Sequence, residues 1–138
     1  MVDIMKKMSI LVIILVLFGM YCFNFNKKTL DLPDASKVEF GHVHGGGMTT
    51  VYECDEDKVS SLIKDIEEQS SYSKESVNDN PNGVDYIKMK MDTKTYYVYE
   101  RNGKTYIEEP YNGVWKIPSD LYNSIKNNKD KLIVEYED

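Results

Sequence analysis

Histidine is scarce in this chain, and both copies fall in His42-Val43-His44. On an extended strand, positions two apart project to the same face. Two imidazoles so placed can ligate Zn²⁺ or Cu²⁺. Such a site needs further ligands, and Cys54, with Glu53 or Asp55, on a partner strand is where they would come from. No H-E-x-x-H or C-x-x-C spacing accompanies the pair. The plainer reading is two half-exposed histidines ahead of a glycine turn. Gly45-Gly46-Gly47 lacks the Gly-Lys-Ser/Thr ending of a phosphate loop and reads as a hairpin turn. Ser60, Ser61 and Ser76 sit in no G-x-S-x-G frame, and Asp79, Glu108 and Glu109 have no spacing diagnostic of an acid/base pair. The expectation is therefore a protein that is not an enzyme and that needs no cofactor, with metal binding through His42, His44 and Cys54 as the alternative.

Aromatic residues give the richer pattern. Tyr97, Tyr99 and Tyr106, joined by Tyr111 and Trp115, would form a strip on one side of a sheet, next to Asn78 and Asp79 in a polar loop. Strips of this kind bind peptides, glycans or other proteins. The competing reading is that a helix covers the strip and makes it core.

The element that would hold the strip is a meander over residues 84–117. Asn102-Gly103 suits a type I′ hairpin turn, because both residues accept positive φ. That turn sets Glu100 opposite Thr105, Tyr99 opposite Tyr106, Val98 opposite Ile107 and Tyr97 opposite Glu108. Alternation then puts Tyr96, Val98 and Ile107 on the core side, and Tyr97, Tyr99 and Tyr106 half-exposed on the other. Ile87, Met89 and Met91 alternate with Lys88 and Lys90, which predicts a half-buried strand paired with residues 95–101. Asn112-Gly113 signals a second turn.

Upstream, Val38, Phe40, His42 and His44 share one face of a strand whose hairpin partner is residues 48–52. Asp55 reads as an N-cap. Val59, Leu62, Ile63 and Ile66 recur at helical spacing over residues 57–69. Residues 70–83 are a loop or a short edge strand. Pro118 at the first helical position opens a short helix to about residue 127, and residues 132–136 are a last strand or a frayed tail.

Four of the 17 basic and one of the 23 acidic residues precede residue 29, leaving 13 against 22 in the remainder. A net charge of −9 argues against a nucleic-acid binder, which needs a basic face. Residues 8–25 are apolar and uncharged between Lys6-Lys7 and Lys27-Lys28. This predicts an N-terminal transmembrane signal anchor over residues 1–28, with a cleaved signal peptide and hence a secreted domain as the alternative. Lipid attachment at Cys22 would need small residues where Met20 and Tyr21 stand. A Cys22–Cys54 disulfide would have to reach the membrane surface and is not expected. Residues 29–36 read as a linker, and residues 37–138 as a single domain.

Further stretches carry a resemblance. Leu32-Pro33-Asp34-Ala35, Ser76-Val77-Asn78-Asp79-Asn80-Pro81, residues 97–104 and residues 106–117 together resemble the DUF5301 family of Firmicutes, over roughly residues 32–125. The His-Val-His-Gly-Gly-Gly stretch lies outside that pattern. The resemblance implies a small extracytoplasmic protein of Gram-positive bacteria. It brings no catalytic residues and no established activity. The fold expected is α+β: an antiparallel meander of four to six strands packed with one longer and one shorter helix. The function expected is a membrane-tethered, extracytoplasmic binding or sensing module, held by residues 8–25, with a protein or peptide partner at the cell surface.

Overall fold

Asn102 and Gly103 take φ values of 54° and 74°, the two positive angles a type I′ turn demands. The register follows as expected, with Tyr99 opposite Tyr106 and Val98 opposite Ile107. The computed structural model describes residues 1–25 and 28–137, with side chains for residues 1–21 and 28–137. The chain runs α1 (Val2–Phe25), β1 (Val38–His44), β2 (Gly47–Glu53), α2 (Glu56–Gln69), β3 (Ser71–Lys74), β4 (Tyr86–Met91), β5 (Lys94–Arg101), β6 (Lys104–Glu109), β7 (Gly113–Ile117), α3 (Ser119–Lys126) and β8 (Lys131–Glu135).

The strands form one antiparallel sheet in the order β3-β7-β6-β5-β4-β1-β2-β8. Eight strands exceed the four to six expected. The additions are the edges β3 and β8, whose residues show no burial alternation that would mark them as strands. The α+β class holds. The two helices that follow β1 are crossovers: α2 carries the chain from β2 to β3, and α3 carries it from β7 back to β8.

Both helices bury their apolar stripes on the same side of the sheet. Val59 and Ile66 of α2 and Leu121 and Ile125 of α3 join Phe40, Ile87, Met89, Tyr96, Val98, Ile107 and Trp115 in one core. Pro118 stands at the cap position, one residue earlier than expected, because its ψ of 148° is extended and the helix begins at Ser119. Leu30 and Ala35, from the stretch read as a linker, also belong to this core, and the Leu32 N–H donates to Glu67.

Every described side chain of α1 is exposed. Among the described residues, no helix is long and apolar enough to cross a membrane. The side chain of Cys22 and the whole of Lys27 lie outside the described residues. Cys54 is a free, buried thiol.

Candidate functional site

The face of the sheet turned away from the helices is defined by ladder register. One row across it reads Val43, Tyr86, Tyr99, Tyr106 and Lys116 from β1 to β7. The next reads Gly41, Lys88, Tyr97, Glu108 and Val114. Tyr86 and Tyr97 meet edge to face with ring centroids 5.2 Å apart, and Tyr99 and Tyr106 lie 5.6 Å apart. Such pairs add specific attraction beyond the area they bury. Tyr86, Tyr97 and Tyr106 are half-buried. Burial raises the Tyr97 hydroxyl above the ordinary tyrosine pKa, with its neighbour Tyr86 adding to the shift.

Two members of the expected strip depart from it, Trp115 in its face and Tyr99 in its exposure. Trp115 pairs with Ile107 and lies fully buried in the helix-side core. A three-residue loop, Pro110-Tyr111-Asn112, joins β6 to β7 and sets that phase. Tyr99 is on the expected face but is 3% exposed, not half-exposed. No helix covers it. The connection between β3 and β4 crosses from the sheet edge to its middle on this side, and residues of that loop lie over Tyr99.

Four hydrogen bonds hold the loop down, at Ser76, Asp79 and Asn82. Ser76 Oγ, buried, donates to the buried Glu108 carboxylate at 2.6 Å and accepts the Tyr111 N–H at 3.2 Å. Glu108 also hydrogen-bonds the Tyr99 hydroxyl, whose pKa rises through burial first and the Glu108 charge second. The Tyr111 hydroxyl donates to Asp79, which raises the Tyr111 pKa. Arg101 donates to the Asn82 carbonyl at 2.6 Å and rests over the Tyr99 ring. Tyr111 sits at a φ of 60° and is largely exposed beside Asp79. Asn78 and Asp79 are themselves exposed. Sequence reasoning singled out Asn78, Asp79 and Tyr111 but missed Tyr86, whose place on the strip depends on β4 pairing with β5. Ser76 and Glu108 form a structural link here, buried together away from solvent.

At one end of the same face, a groove of about 540 Å³ opens between the β1–β2 turn and the loop, lined by Gly45, Gly46, Asn80, Pro81, Asp85 and Tyr86 among others. Asp85 fixes its wall. It accepts the Gly45 N–H at 2.9 Å and bonds His44 Nδ1 at 2.5 Å. These contacts, the backbone donor foremost, hold its carboxyl below the ordinary range.

The histidine pair does not converge with Cys54. His42 projects to the core side opposite Ile87, half-buried, with its pKa lowered by burial and then by Lys129 and Lys126. His44 is exposed and engaged with Asp85. The Cys54 N–H donates to the Val38 carbonyl, which puts this cysteine at the other end of β1. Its thiol pKa is raised by burial and by Asp130, the opposite of what a thiolate ligand needs. Among the described residues, no group of three or more His, Cys, Asp or Glu side chains is placed to hold a metal ion.

Residues 26–116, most of the domain, match the family model described as a domain of unknown function, DUF5300, under the family name DUF5301. The chain belongs to the DUF5301 family. No curated protein and no solved structure matches it. The DUF5301 match spans β1 to β7 with the loop over Tyr99, and leaves α3 and β8 outside.

Proposed function

We propose that this DUF5301 protein is a non-enzymatic binding or sensing module, tethered to the outside of a Gram-positive cell membrane by its N-terminal helix. The observation that carries the binding reading is the sheet face bearing Tyr86, Tyr97 and Tyr106. Neither helix packs on it, and the rings are half-buried in pairs, so they are pre-positioned for a partner at small entropic cost.

The tether reading rests on α1. Its described apolar side chains, over residues 2–21, are more than half exposed, which water does not tolerate in a free helix. The uncharged stretch with described side chains, residues 8–21, is about 21 Å long at 1.5 Å per residue, short of the roughly 30 Å hydrocarbon core. The uncharged run in the sequence continues to residue 25, which brings it to about 27 Å.

A photo-crosslinking residue placed at Tyr97 or Tyr106 in intact cells tests the face, with the same residue at Asp57 on α2 as control. The expected result is a discrete adduct from positions 97 and 106 alone. Equal labelling from position 57, or no adduct from the face, overturns the binding reading. Protease added to intact cells tests the tether: it should remove residues 28–138 while α1 stays with the membrane fraction.

A further inference from the structure

The domain is acidic, yet its tyrosine-bearing face is not. Ladder register puts Lys74, Lys88, Lys90, Arg101, Lys104 and Lys116 on that face. The carboxylate those strands, β3 to β7, place among them is Glu108, which is buried and spent on Ser76 and Tyr99. The loop over the face brings Glu75 and Asp79, and these are held by Tyr72 with Lys28 and by Tyr111. On β1, directly opposite Lys90, Glu39 lies on this face with Glu53 of β2 beside it, and Lys37 bridges the two carboxylates at 3.3 and 2.8 Å. Acidic residues instead crowd α2, which carries Glu56, Asp57, Asp65, Glu67 and Glu68 on the opposite layer. Among the described residues, Lys74, Lys88, Lys90, Lys104 and Lys116 form no ion pair.

We infer that this face binds a linear polymer that carries phosphate in its own backbone. The inference rests on the binding reading above and names the ligand class. Lys88 and Lys90 stand about 7 Å apart along β4 and Arg101 faces Lys104 across about 5 Å, while Lys116 lies three strands from β4, with Tyr99 and Tyr106 in the row between Tyr86 and Lys116. Unpaired ammonium groups on a surface attract an anion without first breaking ion pairs. A peptide fits this face less well. The face of a sheet offers no free backbone N–H or C=O for strand addition, which is an edge property. An extended acidic peptide also turns alternate side chains away. A backbone of phosphates presents every charge to the surface and releases counterions as it binds, so binding weakens steeply with salt.

The test uses the full chain in non-ionic detergent with long-chain inorganic polyphosphate as the probe. Lys88→Glu with Lys90→Glu, and separately Lys104→Glu with Lys116→Glu, should each weaken binding about tenfold, given the loss of several phosphate contacts. Lys64→Glu on α2 should leave it unchanged, as should the circular dichroism of every variant. The N-terminal lysines are common to all variants, so only differences count. Equal binding by wild type and both double variants overturns the inference, as does the absence of saturable binding. Equal affinity for poly-glutamate overturns the ligand class. Loss of polyphosphate binding with a crosslink still formed at position 97 removes this inference and leaves the binding face standing.

Discussion

Two glycines in the meander are constrained in different ways. A methyl group at Gly113 would sit 2.8 Å from Cη2 of Trp115 and 3.2 Å from Cε2 of Tyr72. Both are rings packed edge to face with centroids 5.9 Å apart, so neither yields by rotating a flexible end. Gly113→Ala is therefore expected to cost about 1–3 kcal/mol as overpacking. Around Gly103 a methyl meets nothing within 4 Å, but φ is 74°. Gly103→Ala carries only the left-handed strain of about 1–2 kcal/mol. Urea unfolding followed by emission of Trp115, the one tryptophan, ranks the two. Shifted, red-moved native emission is expected for Gly113→Ala alone, because only that methyl touches the indole. A native spectrum unchanged in both would mean the ring is not packed on Gly113.

The elements are joined by a few buried polar links, and these set two further expectations. Ser76→Ala removes the donor to Glu108 and the acceptor of the Tyr111 N–H together. Leaving buried groups unpaired costs about 1–3 kcal/mol. Amide exchange should accelerate across residues 76–82 while β5 and β6 stay protected, and uniform acceleration would show that the loop is not an independent unit. Asp130 ties the start of β8 to α2: its carboxylate accepts the Asp55 N–H and bonds Lys58 Nζ and Asn128 Nδ2. These contacts, the backbone donor first, lower its pKa. A lowered carboxyl contributes stability that is present above the ordinary value near 4 and is lost as pH falls through the folded-state value. Asp130→Asn should flatten the acid limb of stability against pH, leaving the part owed to Asp85 and Glu53, which are lowered too. An unchanged acid limb would place this link outside the folding balance. Local chemistry explains how much of this was legible beforehand. Asn102-Gly103 specifies its own turn, so the β5–β6 register and both faces could be read directly. Trp115 could not be placed, because its phase depends on Tyr111 adopting a positive φ that tyrosine does not advertise. The insertion of β1 beside β4, and the loop over Tyr99, depend on contacts distant in sequence that no periodicity encodes.

At the scale of the whole molecule, the question is where the folded unit begins. Within α1, Ser9 donates to the Met5 carbonyl and the Met5 N–H to the Met1 carbonyl, and the described side chains of α1 are all exposed. Lys28 is engaged with the domain: its carbonyl accepts from Trp115 Nε1 at 3.0 Å, and its ammonium donates to the Asn112 carbonyl. Leu30 and Ala35 follow into the core at 3% and 7% exposure. A chain starting at Lys28 should therefore melt within a few degrees of the full protein while no longer requiring detergent. A chain starting at Lys37 loses the indole's acceptor and two core side chains. Deleting a buried leucine alone typically costs about 2–5 kcal/mol, so this shorter chain should lose a large part of a stability that for such domains is only about 5–15 kcal/mol. Thermal melting of the three chains separates the readings. Equal melting of the two truncated forms would make residues 29–36 the plain linker that their polarity suggests. A fall on removing residues 1–27 would mean that α1 packs on the domain and does not serve as a separate anchor.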